Sequence, residues 1–197
     1  MRVLVACEFS QVVTKAFRDL GHDAYSCDIL PTLGNEEWHH QRDVLEVIGY
    51  DWDLMIAHPP CTYLSNSGVR WLYLDKQKTR NEDRWDSMRE GAEFFKALLN
   101  ADIPRICVEN PVVHGHAKTL IGQDFTQSVQ PWQFGHGYTK RTCFWLKNLP
   151  TLRPTNVVEG REQLIHKMPP GKDRGLKRSV TPQGMADAMA LQWGGLE

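Results

Sequence analysis

The chain has 197 residues, of which 41% are apolar and 24% charged, and its 23 basic and 24 acidic residues leave a net charge of -1. That length fits a single domain over residues 1–197 with a substantial core. The charge balance excludes a strongly basic nucleic-acid coat protein, and no apolar run approaches the ~18 residues that span a bilayer. The apolar run at residues 1–7 lacks the length and cleavage site of a signal peptide, so we expect a cytoplasmic protein with no membrane partner.

Short apolar runs alternate with amphipathic stretches, which is typical of an α/β domain with a mainly parallel sheet. In chain order we predict a strand over 3–7, a helix over 11–20 with Ser10 as its cap, and a strand over 24–27 that ends at Asp28. A polar loop is expected over 31–40. Residues 44–48 fit either a short strand or a helical turn.

The same alternation continues through the second half of the chain. A strand over 53–57 runs into two prolines, and a helix is expected from Asn81 or Asp83 to about Asn100. A buried strand over 104–108 precedes Glu109, and further strands lie near 126–129 and 142–146. A last helix over 182–193 is expected to be capped by Thr181.

The five cysteines are odd in number and widely spread, and no two of them form a CxxC pair. This pattern argues against a disulfide framework and against the usual zinc sites. Four of them, Cys7, Cys27, Cys107 and Cys143, lie in or beside apolar stretches and are expected to be buried as small apolar side chains. Cys61 is the exception.

Polar residues follow four of the predicted strands. They are Cys7 to Ser10, Asp28, the run from His58 to Cys61, and Glu109 with Asn110. Ligands of open α/β sheets bind beyond the carboxyl ends of the strands. The sequence therefore predicts one cleft at this edge of the sheet.

Cys61 follows Pro59 and Pro60, which stiffen the backbone just after a buried strand. A thiol held there is accessible to a substrate, and its thiolate attacks electron-poor carbon once a lowered pKa makes it available near neutrality. The alternative is a rigid turn followed by an inert cysteine.

Glu109 ends the neighbouring strand and is the natural partner of Cys61. A partly desolvated carboxyl group can hold a proton near neutral pH and donate it to a ring nitrogen. Taken alone, Glu109 would be interpreted as a surface turn residue. Its position one strand away from Cys61 favours a catalytic role instead.

The run Pro59-Pro60-Cys61 with its Ser/Asn/Gly-rich loop, followed later by Val108-Glu109-Asn110, resembles the Pro-Cys and Glu-Asn-Val motifs of the DNA cytosine-C5 methyltransferase family. The resemblance is to a compact, phage-like form. It implies a Rossmann-like S-adenosylmethionine-dependent methyltransferase fold, in which a mainly parallel sheet is flanked by helices. It also implies a phage-encoded enzyme that acts on DNA in the host cytoplasm.

The resemblance assigns roles to individual residues. Cys61 adds to C6 of cytosine, Glu109 stabilises or protonates N3, and Arg141 helps to hold the base or Glu109. In a duplex the base must first leave the stack. The residues implied to contact S-adenosylmethionine are Cys7, Glu8, Phe9, Asp28, Asp43 and Pro59. Those implied to contact the substrate are Ser65, Asn66, Asn110 and Lys140, with Asn110 also fixing the loop. Residues 178–192 resemble the closing motifs that pack beside the cofactor site.

Two features depart from the family pattern. The loop after the first strand lacks the glycines that let the backbone approach the cofactor. The resemblance therefore supports Cys61 as the nucleophile better than it supports S-adenosylmethionine as the methyl donor. Only residues 147–177 are left for target recognition, a reduced basic arm instead of a separate domain. Residues 140–178 carry ten Lys and Arg against three Asp and Glu, a local charge of +7 that fits either a solvated loop or a phosphate-facing surface.

Several alternatives stay open. The substrate can be duplex DNA, single-stranded DNA or a free pyrimidine nucleotide modified at C5, and the chain can also be a catalytically silent nucleic-acid-binding relative. His114 and His116, with His58 or His136, have a spacing compatible with a metal ion. Ordinary loop histidines explain them better, so no metal is expected.

Overall fold

The fold is built on one seven-stranded sheet, which the computed structural model describes over residues 1–196. The strand order is β3-β2-β1-β4-β5-β7-β6, in which β1 to β5 pair in parallel and β7 is antiparallel to both of its neighbours. The strands are β1 (Arg2–Ala6), β2 (Asp23–Asp28), β3 (His39–Gln41), β4 (Leu54–Ala57), β5 (Arg105–Asn110), β6 (Gln127–Val129) and β7 (Thr142–Lys147).

Helices cover both faces of this sheet. Those that pack on the sheet are α1 (Val12–Asp19), α2 (Glu82–Leu99), α3 (Gly115–Ile121) and α6 (Gln183–Trp193). The short helices α4 (Leu164–Lys167) and α5 (Arg174–Ser179) contain no buried residue. Successive strand side chains alternate between faces, so Val3 and Val5 pack with α1 and α6 while Leu4 and Ala6 pack with α2 and α3. This arrangement is the mainly parallel α/β sheet flanked by helices that the sequence predicts.

The predicted strands and long helices are all present, and β5 extends further than predicted. Glu109 and Asn110 were expected beyond the strand, but they pair with Phe144 and Cys143 of β7. Pairing with β7 therefore extends β5 by two residues beyond its apolar run. The predicted loop over 31–40 also contains structure, because His39 to Gln41 form β3 beside β2. Residues Val44–Glu46 form a 3-10 turn, which settles the alternative left open there.

Two predicted helix caps are wrong. Ser10 does not cap α1, because Gln11 occupies the N-cap position with a left-handed backbone (φ 57°) and its side chain does not cap the helix. Thr181 does not cap α6, because Pro182 takes the N-cap position and its ring supplies no side-chain acceptor.

The amino end of α1 is capped instead by the Glu8 side chain. Its carboxylate accepts hydrogen bonds from Val13 N at 2.7 Å, Thr14 N at 3.2 Å and the Thr14 hydroxyl at 2.7 Å. Glu8 is only 4% exposed. A buried carboxylate that satisfies two free helix N–H groups also interacts favourably with the helix dipole.

All five cysteines are free thiols, and three of the four expected in the interior are buried there. Cys7 is the exception, because it is half-buried and holds a left-handed backbone (φ 58°), which is a conformation that glycine adopts most easily. Within residues 1–196, no helix combines the length and apolarity needed to cross a membrane.

Replacing Glu8 with alanine is expected to destabilise the fold by about 2 kcal/mol, because two buried helix N–H groups lose their acceptor. For a domain of this size that loss lowers the melting temperature by about 4–8 °C. Thermal unfolding of Glu8→Ala followed by circular dichroism measures it. The exposed Glu46→Ala serves as the control and should leave the melting temperature unchanged. Equal melting temperatures for the two variants would contradict the capping role.

Candidate active site

The register of the sheet brings four strand ends level with one another. Ala6 of β1 pairs with Cys27 of β2 and with Ala57 of β4, and Ala57 pairs with Val108 of β5. The residues that follow these positions therefore lie in a row along one edge of the sheet. These residues are Cys7, Asp28, His58 and Glu109.

A cavity of about 530 Å³ opens beside this edge. Of the predicted site residues, Cys7, Glu8, Phe9, Asp28, Asp43 and Cys61 line it. Pro59 does not. It is buried, its carbonyl accepts a hydrogen bond from Asn110 Nδ2 at 3.0 Å, and Pro60 lines the cavity in its place.

Two carboxylates face an otherwise mostly apolar cavity wall. Asp28 Oδ1 accepts from Leu30 N at 2.9 Å and Asp43 Oδ1 from Leu45 N at 3.0 Å. Among residues 1–196, no hydrogen bond reaches the second oxygen of either carboxylate. Phe9, Leu30, Val44 and Phe94 are among the apolar lining residues. Free acceptors beside apolar surface fit a nucleoside with its hydroxyl and amino groups, as in S-adenosylmethionine.

Glu8 contributes to this wall, but its carboxylate is already hydrogen-bonded to α1. We therefore infer no free acceptor there. The glycine-poor loop noted in the sequence keeps the left-handed turn, because Cys7 adopts the positive φ itself. The Cys7 side chain thus stands on the cavity wall where a glycine would leave open space.

Backbone hydrogen bonds fix the loop that carries Cys61 both before and after the cysteine. His58 N donates to Ala6 O at 2.9 Å, and Leu64 N and Ser65 N both donate to Cys61 O. Farther along, the loop pairs with the chain after β5, through Asn66 N to Val112 O at 3.1 Å. The half-buried thiol is therefore held at the cavity wall by backbone hydrogen bonds from two neighbouring strand ends.

The predicted substrate-binding residues of this loop differ in position. Asn66 is exposed, whereas Ser65 is buried with its hydroxyl 2.9 Å from that of Ser67. Asn110 is also buried, and its bond to Pro59 agrees with the loop-fixing role that the resemblance suggested.

Glu109 forms a buried hydrogen bond with a residue that sequence reasoning did not assign to it. His58 Nδ1 lies 3.0 Å from Glu109 Oε2, and the two side chains are only 9% and 13% exposed. Burial opposes ionisation of Glu109, but the hydrogen bond and charge of His58, with the charge of Lys140, outweigh it and lower the pKa of the carboxyl group. The expected proton on resting Glu109 is thus wrong, because cationic partners favour the carboxylate.

The pKa of Cys61 is raised above its usual value, opposite to the lowered pKa that a ready nucleophile needs. Burial is the largest cause, and the negative charge of Glu109 adds to it. The positive charges of Arg178 and Lys140 act in the other direction without compensating. The free protein therefore holds Cys61 as a thiol at neutral pH.

Lys140, and not Arg141, belongs to this cluster. The Lys140 ammonium is close enough to Glu109 and Cys61 to affect both pKa values, and its Nζ donates to Val180 O at 3.1 Å. Arg141 is exposed, and its guanidinium lies 5.7 Å from the centre of the Phe125 ring. The side chains of these two adjacent residues before β7 have different surroundings, and Lys140 instead of Arg141 lies near Glu109 and Cys61.

The arm over residues 147–177 is mainly exposed, and the segment at its end lines one side of the cavity. Gly175, Leu176, Ser179 and Val180 line the cavity beside Thr181. The resemblance implied that residues after 178 pack near the cofactor site, but it did not indicate Gly175 and Leu176. The exposed face of the arm is consistent with a surface for an anionic partner.

The His114-Gly115-His116 pattern is explained by local structure. His114 Nδ1 accepts from Ala117 N at 3.2 Å as the cap of α3, so its Nε2 carries the proton that reaches Tyr63 O at 3.1 Å. His116 Nε2 lies 3.2 Å from the Tyr73 hydroxyl. No group of three potential metal ligands is found within residues 1–196.

No protein-family model and no curated protein matches this sequence. Among solved structures it is similar to a protein described as a DNA modification methyltransferase encoded within a prophage (E. coli), with a TM-score of 0.49 and 14% identity over 82% of this chain and 53% of that one. It is also similar to the S. pombe Dnmt2 methyltransferase, with a TM-score of 0.42 and 14% identity over 77% and 50% of the two chains. The Entamoeba histolytica methyltransferase EhMeth gives 0.44 and 12% over 83% and 57%.

The chain thus spans about half the length of these solved structures (53%, 50% and 57%). At these identities and TM-scores the matches do not indicate which reaction this chain performs. The candidate active site is the cluster of Cys61, Glu109, His58 and Lys140.

Removing the charge of Glu109 is expected to make Cys61 more reactive. Glu109→Gln lowers the pKa of the thiol, and a shift of one unit raises the thiolate fraction at pH 8 about tenfold. Iodoacetamide alkylation of Cys61, followed by peptide-resolved mass spectrometry, measures the rate. Lys140→Gln should slow the reaction, because it removes a positive charge, and the exposed Glu93→Gln should leave it unchanged. Equal rates in all four proteins would contradict the electrostatic coupling.

Proposed function

We propose that the protein is a methyltransferase that transfers a methyl group from S-adenosylmethionine to C5 of cytosine in DNA through a covalent adduct with Cys61. The observation that carries this proposal is that Cys61 lines a nucleoside-sized cavity and that Glu109, from the strand next to β4, is close enough to raise the pKa of its thiol. A thiol and a carboxyl group on one side of a flat heterocycle are the two groups that activation of C5 requires.

The chemistry of these side chains follows from their charges. The S–H bond of Cys61 breaks and the sulfur–C6 bond forms as the electron pair of the C5–C6 double bond moves towards C5. The proton from the thiol passes through the Glu109 carboxylate to N3, where it stabilises the product of this addition, and it returns to the sulfur at the end of the reaction. Loss of the C5 proton after methyl transfer returns the electrons and breaks the sulfur–C6 bond. Glu109 faces N3 in this scheme, and Lys140 stabilises the negative charge that passes between the sulfur and the carboxyl group.

The raised pKa of Cys61 couples the nucleophile to the substrate. In the free protein the charge of Glu109 disfavours the thiolate. When Glu109 shares its charge with a protonated N3, that repulsion weakens and the positive charges of Lys140 and Arg178 favour the thiolate. The thiol is therefore activated where the base is in place, and it is protected from side reactions elsewhere.

The carboxylates of Asp28 and Asp43 and the apolar surface of Phe9 are the groups that would hold S-adenosylmethionine. When bound there, the cofactor supplies an electrophilic methyl group. Asp28 ends β2 and Asp43 follows β3, so both are fixed by the sheet and by backbone hydrogen bonds to their first oxygens. This leaves one acceptor on each residue for the cofactor.

DNA as the substrate is supported by the distribution of positive charge. Besides the arm, the loop after Cys61 carries four exposed basic residues against the single acidic Asp75, and these are Arg70, Lys76, Lys78 and Arg80. Phosphate groups bind such surfaces because binding releases counterions. A free pyrimidine nucleotide would make no use of two exposed basic segments.

Covalent catalysis is tested by trapping the adduct. DNA with 5-fluorocytosine has no C5 proton to lose, so after methyl transfer the adduct with Cys61 should persist as a protein–DNA species on a denaturing gel. Cys61→Ser should abolish trapping, and the buried Cys107→Ala should retain it. A wild-type protein that binds DNA without any adduct would support the catalytically silent relative. An adduct with the free nucleotide but not with DNA would support the nucleotide-modifying enzyme.

The cofactor site is tested by calorimetry with S-adenosylmethionine. Asp28→Asn is expected to weaken binding by about tenfold or more, because a hydrogen bond to a charged acceptor contributes about 1.5–3 kcal/mol. Asp102→Asn, at the opposite edge of the sheet, should bind like the wild type. Equal affinity of both variants would exclude Asp28 from the cofactor site.

A further inference from the structure

Trp71 is a surface feature that the proposed chemistry does not use. Of the seven tryptophans, all of which lie in the described part of the chain, only Trp71 is exposed, with 55% of its surface accessible to solvent. The nearby Leu74 is also exposed. A single exposed apolar side chain is common on protein surfaces, so the position and surroundings of Trp71 must show whether it binds a ligand.

The backbone at Trp71 is fixed by its neighbours. Trp71 lies in the 3-10 helix Asn66–Leu72. Leu72 is buried, and its carbonyl accepts hydrogen bonds from Trp85 Nε1 and from Asn81 N, both at 3.0 Å. The residue that follows Trp71 is thus anchored at the start of α2. An aromatic side chain on a fixed backbone loses little conformational entropy when it binds a partner.

The same 3-10 helix packs directly on the loop of Cys61. A Cβ atom on Gly68 would lie 2.6 Å from the carbonyl oxygen of Thr62, so only glycine permits this close approach. The Thr62 carbonyl also accepts a hydrogen bond from Arg84 Nη2 at 2.8 Å. Trp71 follows Gly68 by one turn, which is about 6 Å along the axis of a 3-10 helix. The indole is therefore one turn away from the contact with the residue that follows the nucleophile.

Basic side chains lie around the indole. The Arg70 guanidinium carbon lies 4.6 Å from the centre of the Trp71 ring, and the exposed part of the ring leaves room for a second flat group. Lys76 and Lys78 of the following turn are exposed. Asp75 is the single acidic residue of this segment, and its carboxylate accepts hydrogen bonds within the turn. An aromatic face beside cations fits a nucleic-acid base together with its phosphates.

We propose that Trp71 stacks on a base of single-stranded DNA next to the target cytosine, while the basic residues around it bind the adjoining phosphates. This inference rests on the proposed function, because it takes DNA as the substrate. In a duplex the neighbouring bases cover both faces of each base, whereas a single strand offers an open face to an aromatic ring. A single-stranded cytosine also enters the active site without the cost of leaving a duplex stack.

Fluorescence anisotropy with a fluorescein-labelled oligonucleotide, measured without methyl donor, tests the proposal. The wild type is expected to bind the single strand about tenfold more tightly than the duplex of the same sequence. Trp71→Ala should weaken single-strand binding by about tenfold, and Trp71→Phe, which keeps an aromatic face, by no more than about threefold. Tyr50→Ala removes an exposed aromatic ring before β4, at the opposite edge of the sheet, and should bind like the wild type. Circular dichroism establishes that each variant is folded.

The salt dependence of binding separates stacking from charge. Trp71→Ala is expected to weaken binding by the same factor at every salt concentration, because the indole carries no charge. Lys76→Gln should reduce the slope of log affinity against log salt concentration by about 0.7, the value for one phosphate contact of a single strand. A Trp71→Ala variant that changes the slope as much as Lys76→Gln does would show a displaced basic loop, and it would overturn stacking as the role of the indole.

Two further results would overturn the proposal. One is a Trp71→Ala variant that binds the single strand as the wild type does. The other is a wild type that binds the duplex more tightly than the single strand. If the wild type forms no adduct with 5-fluorocytosine DNA, the proposed function fails, and the anisotropy measurements still decide whether Trp71 binds single-stranded DNA.

Discussion

The register of the parallel strands is the constraint on which the whole site depends. Because Ala6, Ala57 and Val108 lie side by side, the residues that follow them meet at one edge of the sheet. The ladder then brings the loop of Cys61 next to the end of β5, where Asn110 binds the carbonyl of Pro59. A slip of one residue in β5 would turn Glu109 to the other face of the sheet and remove it from the cluster.

Burial and the surrounding charges keep both reactive groups of the site in their unreactive protonation states. Glu109 raises the pKa of Cys61, while His58 and Lys140 lower the pKa of Glu109. Neither group is therefore in its reactive form in the free protein. A base that shares the charge of Glu109 would change both groups together, and this makes substrate binding and nucleophile activation one event.

Local patterns in the sequence account for most of the fold. Apolar runs that end at prolines or polar residues mark the strands, and the helical spacing of Trp85, Met88 and Ala92 marks α2. The end of β5 could not be predicted because the partner strand β7 sets it. The cap of α1 was wrongly assigned to Ser10 because the side chain that caps the helix, Glu8, lies three residues before the N-cap position.

The site was predictable in its outline but not in its charges. Cys61 and Glu109 follow neighbouring strands, so their proximity follows from topology. The sign of the Glu109 pKa shift depends on Lys140, which is distant in sequence, and on His58, whose position before two prolines was the one available signal. The sign of the Cys61 pKa shift depends on burial and on Glu109. Whether Lys140 or Arg141 faces Glu109 depends on how the loop enters β7, which side-chain pattern alone does not determine.

Release of tritium from DNA that contains [5-³H]cytosine tests the central claim most directly, because the C5–H bond breaks only if addition at C6 has made C5 reactive. With S-adenosylmethionine present, the wild type is predicted to release tritium into water in step with methyl incorporation, and Cys61→Ser is predicted to release none. Methyl incorporation without tritium release would place the methyl group on another atom of the base. That result would contradict covalent activation by Cys61.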